Sequence, residues 1–249
     1  MNTAVSASLP KPQRLSVERA GTRIPAVYWQ PAGGSRGVVL ACHGGSGHKE
    51  SHAIRMIAQA CLPLGLTVLA IDGPVHGERR EDGNLDPGAA RQSFRKAWRI
   101  GLGRTSMGED MRAALDALLR LPGHDGLPIG YVGVSMGTAY GIPLLAAEPR
   151  IRAAAIGLWS TTYAASEHLA GFAREMRCDI WFTQQWDDEI FDRAGTLELF
   201  DSIGSADKRL VAYPGAHREL EGERLADAVA FVAGRLLGRS INCPAAPTA

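Results

Sequence analysis

Gly133-Val134-Ser135-Met136-Gly137 places one serine between two glycines, directly after the apolar run "IGYV" and ahead of a stretch with helical spacing. A strand that turns this sharply into a helix holds its central residue at strained backbone angles and projects the side chain clear of the sheet. Side chains two positions to either side would crowd such a turn, so glycine fits there. The Met136 N–H is left at the helix start, where a backbone donor can meet an incoming carbonyl oxygen. A serine hydroxyl is a weak nucleophile at neutral pH. It needs an imidazole to take its proton, and the imidazole needs a carboxylate to fix its tautomer.

Both partners follow in the chain. "YPGAHREL" supplies His217, in a Pro-Gly loop after an apolar run and ahead of the last helical stretch. A loop at the carboxyl end of a strand is where an open α/β sheet builds a ligand site. "FTQQWDDEIFDR" offers two adjacent acids, and adjacent residues cannot both face one imidazole. Asp188 is preferred, because Ile190 and Phe191 then form an apolar anchor after it, and Asp187 becomes a helper that fixes the loop. "LACHGGSGH" supplies a small, open turn in which the Gly45 N–H can join that of Met136 at an oxyanion, with His43 orienting the loop. Trp159, Trp186 and Phe191 follow apolar runs and are candidate walls of a substrate pocket.

These residues need rigid elements to position them. "RLSVERAG" and "IPAVYWQP" read as an antiparallel hairpin with one wet face. "GVVLACHG", "LTVLAIDGP", "IGYVGVS", "RAAAIGLWS", "DIWFTQQ" and "KRLVAYPG" are unbroken apolar runs of strand length, which suits strands covered on both faces. Helical spacing lies between them: Ile54, Ile57, Ala58 and Cys61 form one stripe, and Met111, Leu115, Leu118 and Leu119 another, with Asp110 in its first turn. "MGTAYGIPLLAAEP", "GTLELFDSIGS" and "GERLADAVAFVAGRLLG" supply further helices. The alternation predicts an α/β fold with right-handed crossovers. Residues 76–108, rich in Gly and Arg, read as a long functional loop near the site in which "ARQSFRKAW" could be a short helix.

The chain has 249 residues and a formal net charge of +1, within the range of one α/β domain and without a field that invites nucleic acid or an anionic membrane. No run approaches the roughly 18 apolar residues that span a bilayer. The N-terminus lacks the pattern of a signal peptide, and 1–12 and 240–249 read as flexible tails. Cys42, Cys61, Cys178 and Cys243 include no CxxC pair, and the first three sit in apolar stretches, which fits a reduced, cytoplasmic setting.

"HGGSG", "DGPVHGER", "GVSMG", "WDDEIF" and "YPGAH" occur in the order and near the spacing of the α/β-hydrolase superfamily. The chain resembles it from about Arg14 to Leu237. Within it, the chain looks most like the small cytosolic esterases of the dienelactone hydrolase and prolyl-oligopeptidase-like branch. The resemblance implies a three-layer fold: an eight-stranded, mostly parallel sheet with helices on both faces and no large cap domain. It also implies a Ser135–His217–Asp188 triad and an oxyanion hole near Gly45 and Met136. Dienelactone hydrolases proper carry a cysteine nucleophile, so Ser135 favours a serine esterase acting on a small ester, thioester or lactone, with no cofactor. Acyl transfer or carbon–carbon hydrolysis at the same triad are the alternatives, as is a binding protein that has lost catalysis.

Other features carry less. His48 and His52 are four apart, but Lys49 stands where a zinc protease helix needs Glu, so they are expected to flank the loop and cap the next helix, and no metal is expected. His124 and His168 read as surface residues. "GLGRTSMG" lacks a phosphate-binding fingerprint. Seven basic residues fall between Arg79 and Arg104. They read as a solvated face, unless one or two border the cleft and favour anionic acyl groups.

Overall fold

The structure is a computed structural model and describes residues 9–238. Cys243 and most of the two expected tails lie outside that range. Eight strands form one sheet: β1 (Gln13–Leu15), β4 (Ala26–Trp29), β6 (Leu66–Ile71), β5 (Gly37–Ala41), β7 (Ile129–Val132), β8 (Ile151–Gly157), β9 (Asp179–Gln185) and β10 (Lys208–Tyr213), in that spatial order. β4 runs antiparallel to both β1 and β6, and the other pairings are parallel. β2 (Glu18–Arg19) and β3 (Thr22–Arg23) pair separately as a small hairpin.

Seven α-helices cover the sheet: α1 (His52–Cys61), α2 (Pro87–Arg99), α3 (Ser106–Leu119), α4 (Met136–Ala147), α5 (Leu169–Glu175), α6 (Arg193–Ser202) and α7 (Gly222–Leu237). α1 and α7 pack into the core on one face, and α2 to α6 contribute to the other. The strands alternate between these layers. Val38 and Leu40 of β5 face one core, Val39 and Ala41 the other; Ala154 and Ile156 of β8 alternate in the same way with Ala153 and Ala155. Two covered faces are the reason the strands read as unbroken apolar runs. Only α5 is inserted between β8 and β9, and no cap domain is evident among the described residues.

Four expectations need correction. β4 has no wet face: all four of its residues are buried, because it is an interior strand paired on both sides and covered by both cores. Residues 76–108 are mostly helical rather than a loop. Asp86 caps α2 by accepting from the Ala89 N–H at 2.8 Å, Pro87 starts the helix, and Ala90, Phe94, Ala97 and Trp98 form its buried stripe. The short helix expected at "ARQSFRKAW" is present, and it begins earlier, at Pro87. α3 begins at Ser106, which moves Asp110 beyond the first turn, where it is buried between Arg19 and Arg79. His124 is buried too, edge-on to Tyr28 and in contact with the Thr67 hydroxyl, and His168 is half-buried against Trp98. Cys42, Cys61 and Cys178 are buried free thiols.

Candidate active site

Ser135 closes β7 and opens α4. Its backbone lies at φ 58° and ψ −120°, a left-handed conformation that a side chain rarely adopts. Two bonds to β8 hold the turn there: the Gly133 N–H donates to Ala155 O at 2.9 Å and the Ser135 N–H to Gly157 O at 3.0 Å. The glycines are required by packing. A Cβ at Gly137 would stand 2.9 Å from the backbone oxygen of Cys42, and one at Gly133 2.8 Å from the Tyr131 hydroxyl. The end of β5 therefore presses on the turn. Neither the Met136 nor the Gly45 N–H has a backbone acceptor among the described residues.

His217 lies in the loop between β10 and α7, and its Nδ1 is 2.9 Å from Asp188 Oδ2. Asp188 Oδ1 accepts from the Ile190 and Phe191 N–H groups at 2.9 and 3.0 Å. Burial pushes this carboxyl's pKa up, but the bond to His217 and the two N–H groups outweigh it, and the net pKa is lowered. The ionised carboxylate accepts from Nδ1–H, which fixes the tautomer and leaves Nε2 as an acceptor. Asp187 faces away and joins the loops: its N–H donates to Gly215 O at 3.1 Å and its Oδ2 accepts from the Gly215 N–H at 3.3 Å. Two further residues brace the histidine loop. Glu189 accepts the His217 N–H at 2.8 Å, and Gln185 bonds both the N–H and the carbonyl of Arg218. Their one sequence signal is a polar Gln185 ending an apolar strand.

A cavity of about 160 Å³ collects these groups. Gly45, Ser46, Ser135, Trp159, Phe191 and His217 line it. Trp186 does not: its ring is half-exposed with the Arg193 guanidinium stacked 3.7 Å from its centre, because Asp187 turns the chain away before Asp188. Sequence reasoning missed Phe94 and Tyr163, which complete an aromatic wall with Trp159 and Phe191. Of the seven basic residues in the Arg-rich stretch, Arg91 and Arg95, one turn apart on α2, reach the cavity rim.

Two buried imidazoles set the direction of the Gly45 loop. The Gly73 N–H can only donate, so His43 Nε2, 3.0 Å away, accepts, and its Nδ1–H donates to Gly44 O at 2.8 Å. In a trans peptide the carbonyl and the next N–H point opposite ways. Holding Gly44 O therefore aims the Gly45 N–H. His76 donates from Nε2 to Gly45 O at 3.1 Å and in the same way aims the Ser46 N–H. The two rings meet edge-on at 4.8 Å.

Burial drives the His76 pKa down to about 4, against the pull of its bond to Gly45 and of Asp72, with the Arg80 charge adding to the decrease. The unfolded chain takes up this proton first, near pH 6.5. Stability contributed by neutral His76 is therefore present above about pH 6.5 and is lost as pH falls towards 4, by about 3 kcal/mol. Buried His43, also shifted well down, adds to the slope. Melting temperatures followed from pH 7 to 4.5 should fall, and less steeply in His76→Gln, which keeps a donor for Gly45. Equal slopes in both proteins would contradict this account.

No family model matches the chain, and no curated protein does. Solved structures do. A cold-adapted esterase from an Arctic intertidal metagenomic library, in a complex with polyethylene glycol, is 34% identical over 90% of this chain and 93% of its own, with a TM-score of 0.78. Two more distant structures share the fold: a dienelactone hydrolase from Anabaena variabilis (19% identity, 92% and 98% of the chains, TM-score 0.68) and a dienelactone hydrolase-like promiscuous phosphotriesterase from metagenomic libraries (16%, 91% and 98%, 0.69). The chain belongs to the α/β-hydrolase family. Within that family it is a hydrolase with a dienelactone hydrolase-like fold. No helix among the described residues is long and apolar enough to cross a membrane.

Proposed function

We propose that this chain is a serine hydrolase that cleaves small carboxylic esters through Ser135, His217 and Asp188. The observation that carries the reading is the Asp188–His217 pair, which opens onto the same cavity as the strained Ser135 turn. Ser135 Oγ attacks the ester carbonyl while His217 Nε2 takes its proton. The oxyanion accepts from the Gly45 and Met136 N–H groups, both free of other backbone partners. The imidazolium then protonates the departing alcohol, and water, activated by the same nitrogen, releases the acid and restores Ser135. The small cavity, with four aromatic rings on its wall, favours a short acyl group, and the same chemistry admits thioesters and lactones. A fluorophosphonate probe should label Ser135, and p-nitrophenyl esters of short acids should be turned over. An intact protein that the probe leaves unlabelled would instead be a binding protein.

Arg91 and Arg95 sharpen the substrate class. Both line the rim, and neither forms an ion pair among the described residues. They favour an acyl group with a distal carboxylate, such as a half-ester of a dicarboxylic acid. As exposed charges they contribute modestly. The double variant Arg91→Ala/Arg95→Ala should lower kcat/KM for anionic relative to neutral esters by about 3- to 10-fold, and an unchanged ratio would remove this preference.

A further inference from the structure

Glu219 lies two residues past His217 and lines the same cavity as Ser135, Gly45 and Ser46. Its carboxylate packs against Gly44, so closely that a methyl group there would run into Glu219 Oε1. The three carboxylates of the facing loop after β9 all have donors in the protein. Asp188 accepts from His217 and two N–H groups, Glu189 from the His217 N–H, and Asp187 from the Gly215 N–H. Glu219 has none. Burial is the main influence on its carboxyl and raises its pKa; the charge of His217 opposes this, Glu221 reinforces it and Arg91 opposes it, with no hydrogen bond contributing. Glu219 is half-buried, so its carboxylate faces the cavity with no donor of its own, and a ligand that brings one gains a charge-assisted hydrogen bond there.

The position of Glu219 says which part of a ligand it would meet. It stands over Gly44, the residue before the proposed oxyanion donor Gly45, and lines the cavity with Ser135, so the substrate atoms beside it are those next to the carbonyl carbon. An ester oxygen carries no hydrogen. The nearest atom able to bear a donor is therefore the acyl carbon adjacent to the carbonyl. We propose that Glu219 is a specificity-determining residue that accepts a hydrogen bond from a hydroxyl or amino group on that carbon, so that the preferred substrates are esters of 2-hydroxy or 2-amino acids. This rests on the Ser135 hydrolase reading. A pocket built to receive a donor discriminates strongly against the analogue that lacks it, because its own polar group is then left unpaired.

The test compares methyl propanoate, methyl 2-hydroxypropanoate and methyl 2-aminopropanoate. Each kcat/KM is divided by that ester's hydroxide-catalysed rate constant, to remove the intrinsic reactivity added by the substituent. The native enzyme should prefer at least one 2-substituted ester by about tenfold or more. Glu219→Leu should bring that ratio towards one. Glu219→Gln separates the two donors: its amide oxygen still accepts from a hydroxyl but no longer attracts an ammonium, so a hydroxyl preference survives and an ammonium preference is lost. A native ratio near one, or a Glu219→Leu variant that slows all three esters equally, would make Glu219 a support for the Gly44 loop and overturn the proposal. Those results leave the hydrolase reading intact. Absence of turnover on every ester, together with an unlabelled Ser135, removes that reading and this proposal with it.

Discussion

Ser135→Ala is expected to lower kcat on a good ester by about 10⁴- to 10⁶-fold, with the fold retained. The nucleophile, base and acid act as a unit, so losing the first forfeits nearly all that the other two provide. What survives comes from the Gly45 and Met136 donors and from binding in the cavity. The substitution is a clean one for the fold. Ser135 Oγ makes no hydrogen bond among the described residues, and alanine carries the same Cβ at the same left-handed φ of 58°. Circular dichroism and melting should therefore match the native protein while turnover and fluorophosphonate labelling disappear. Near-native kcat/KM in the variant would refute the proposed mechanism.

Lys49→Met is expected to carry the largest cost in stability, about 3–5 kcal/mol. Lys49 is 2% exposed and Asp72 fully buried; Nζ lies 2.9 Å from Asp72 Oδ2 and 2.7 Å from Glu78 Oε1. Asp72 also accepts the Lys49 and Glu78 N–H groups, each at 2.9 Å. The cluster ties the Gly45 loop to the 72–80 segment that carries His76. Methionine fills similar volume but leaves the buried carboxylate without its cation, which is the costly way to break such a pair. Lowering of the Glu78 pKa to about 2, led by its bond to Lys49, shows how strongly the ammonium acts there. For a chain of this size the loss corresponds to about 6–20 °C in melting temperature. Adding Asp72→Asn should recover part of it, since no charge is then stranded and the amide oxygen still accepts from a backbone N–H. A single variant that melts within a degree of the native protein would show that the cluster does not anchor the loops.

The order of elements was legible in the sequence because burial on both faces leaves a one-dimensional trace. Each of the six apolar runs is a strand, five of them interior and β10 at the sheet edge, and the stripes of α1, α3 and α7 face the cores. Gly133, Ser135 and Gly137 were legible too, since the steric demand of the turn is local and only the smallest residue meets it. Asp188 and Asp187 differ in what they face, and that depends on where Gly215 and His217 of another loop come to lie. Trp186, one residue before this pair, is turned outward by the same loop geometry.

The cavity wall lay furthest from reach. Phe94, Arg91 and Arg95 come to the site on α2, Tyr163 on the segment after β8, and Glu219 on the loop after β10. No periodicity in the chain records that these meet. The sequence by itself determined the sheet, the layers and the turn that presents Ser135, because those follow from local sterics and from the period of apolar residues. Only the tertiary structure decided what surrounds that serine, because a pocket is made where the ends of distant elements converge and their side chains exclude water together.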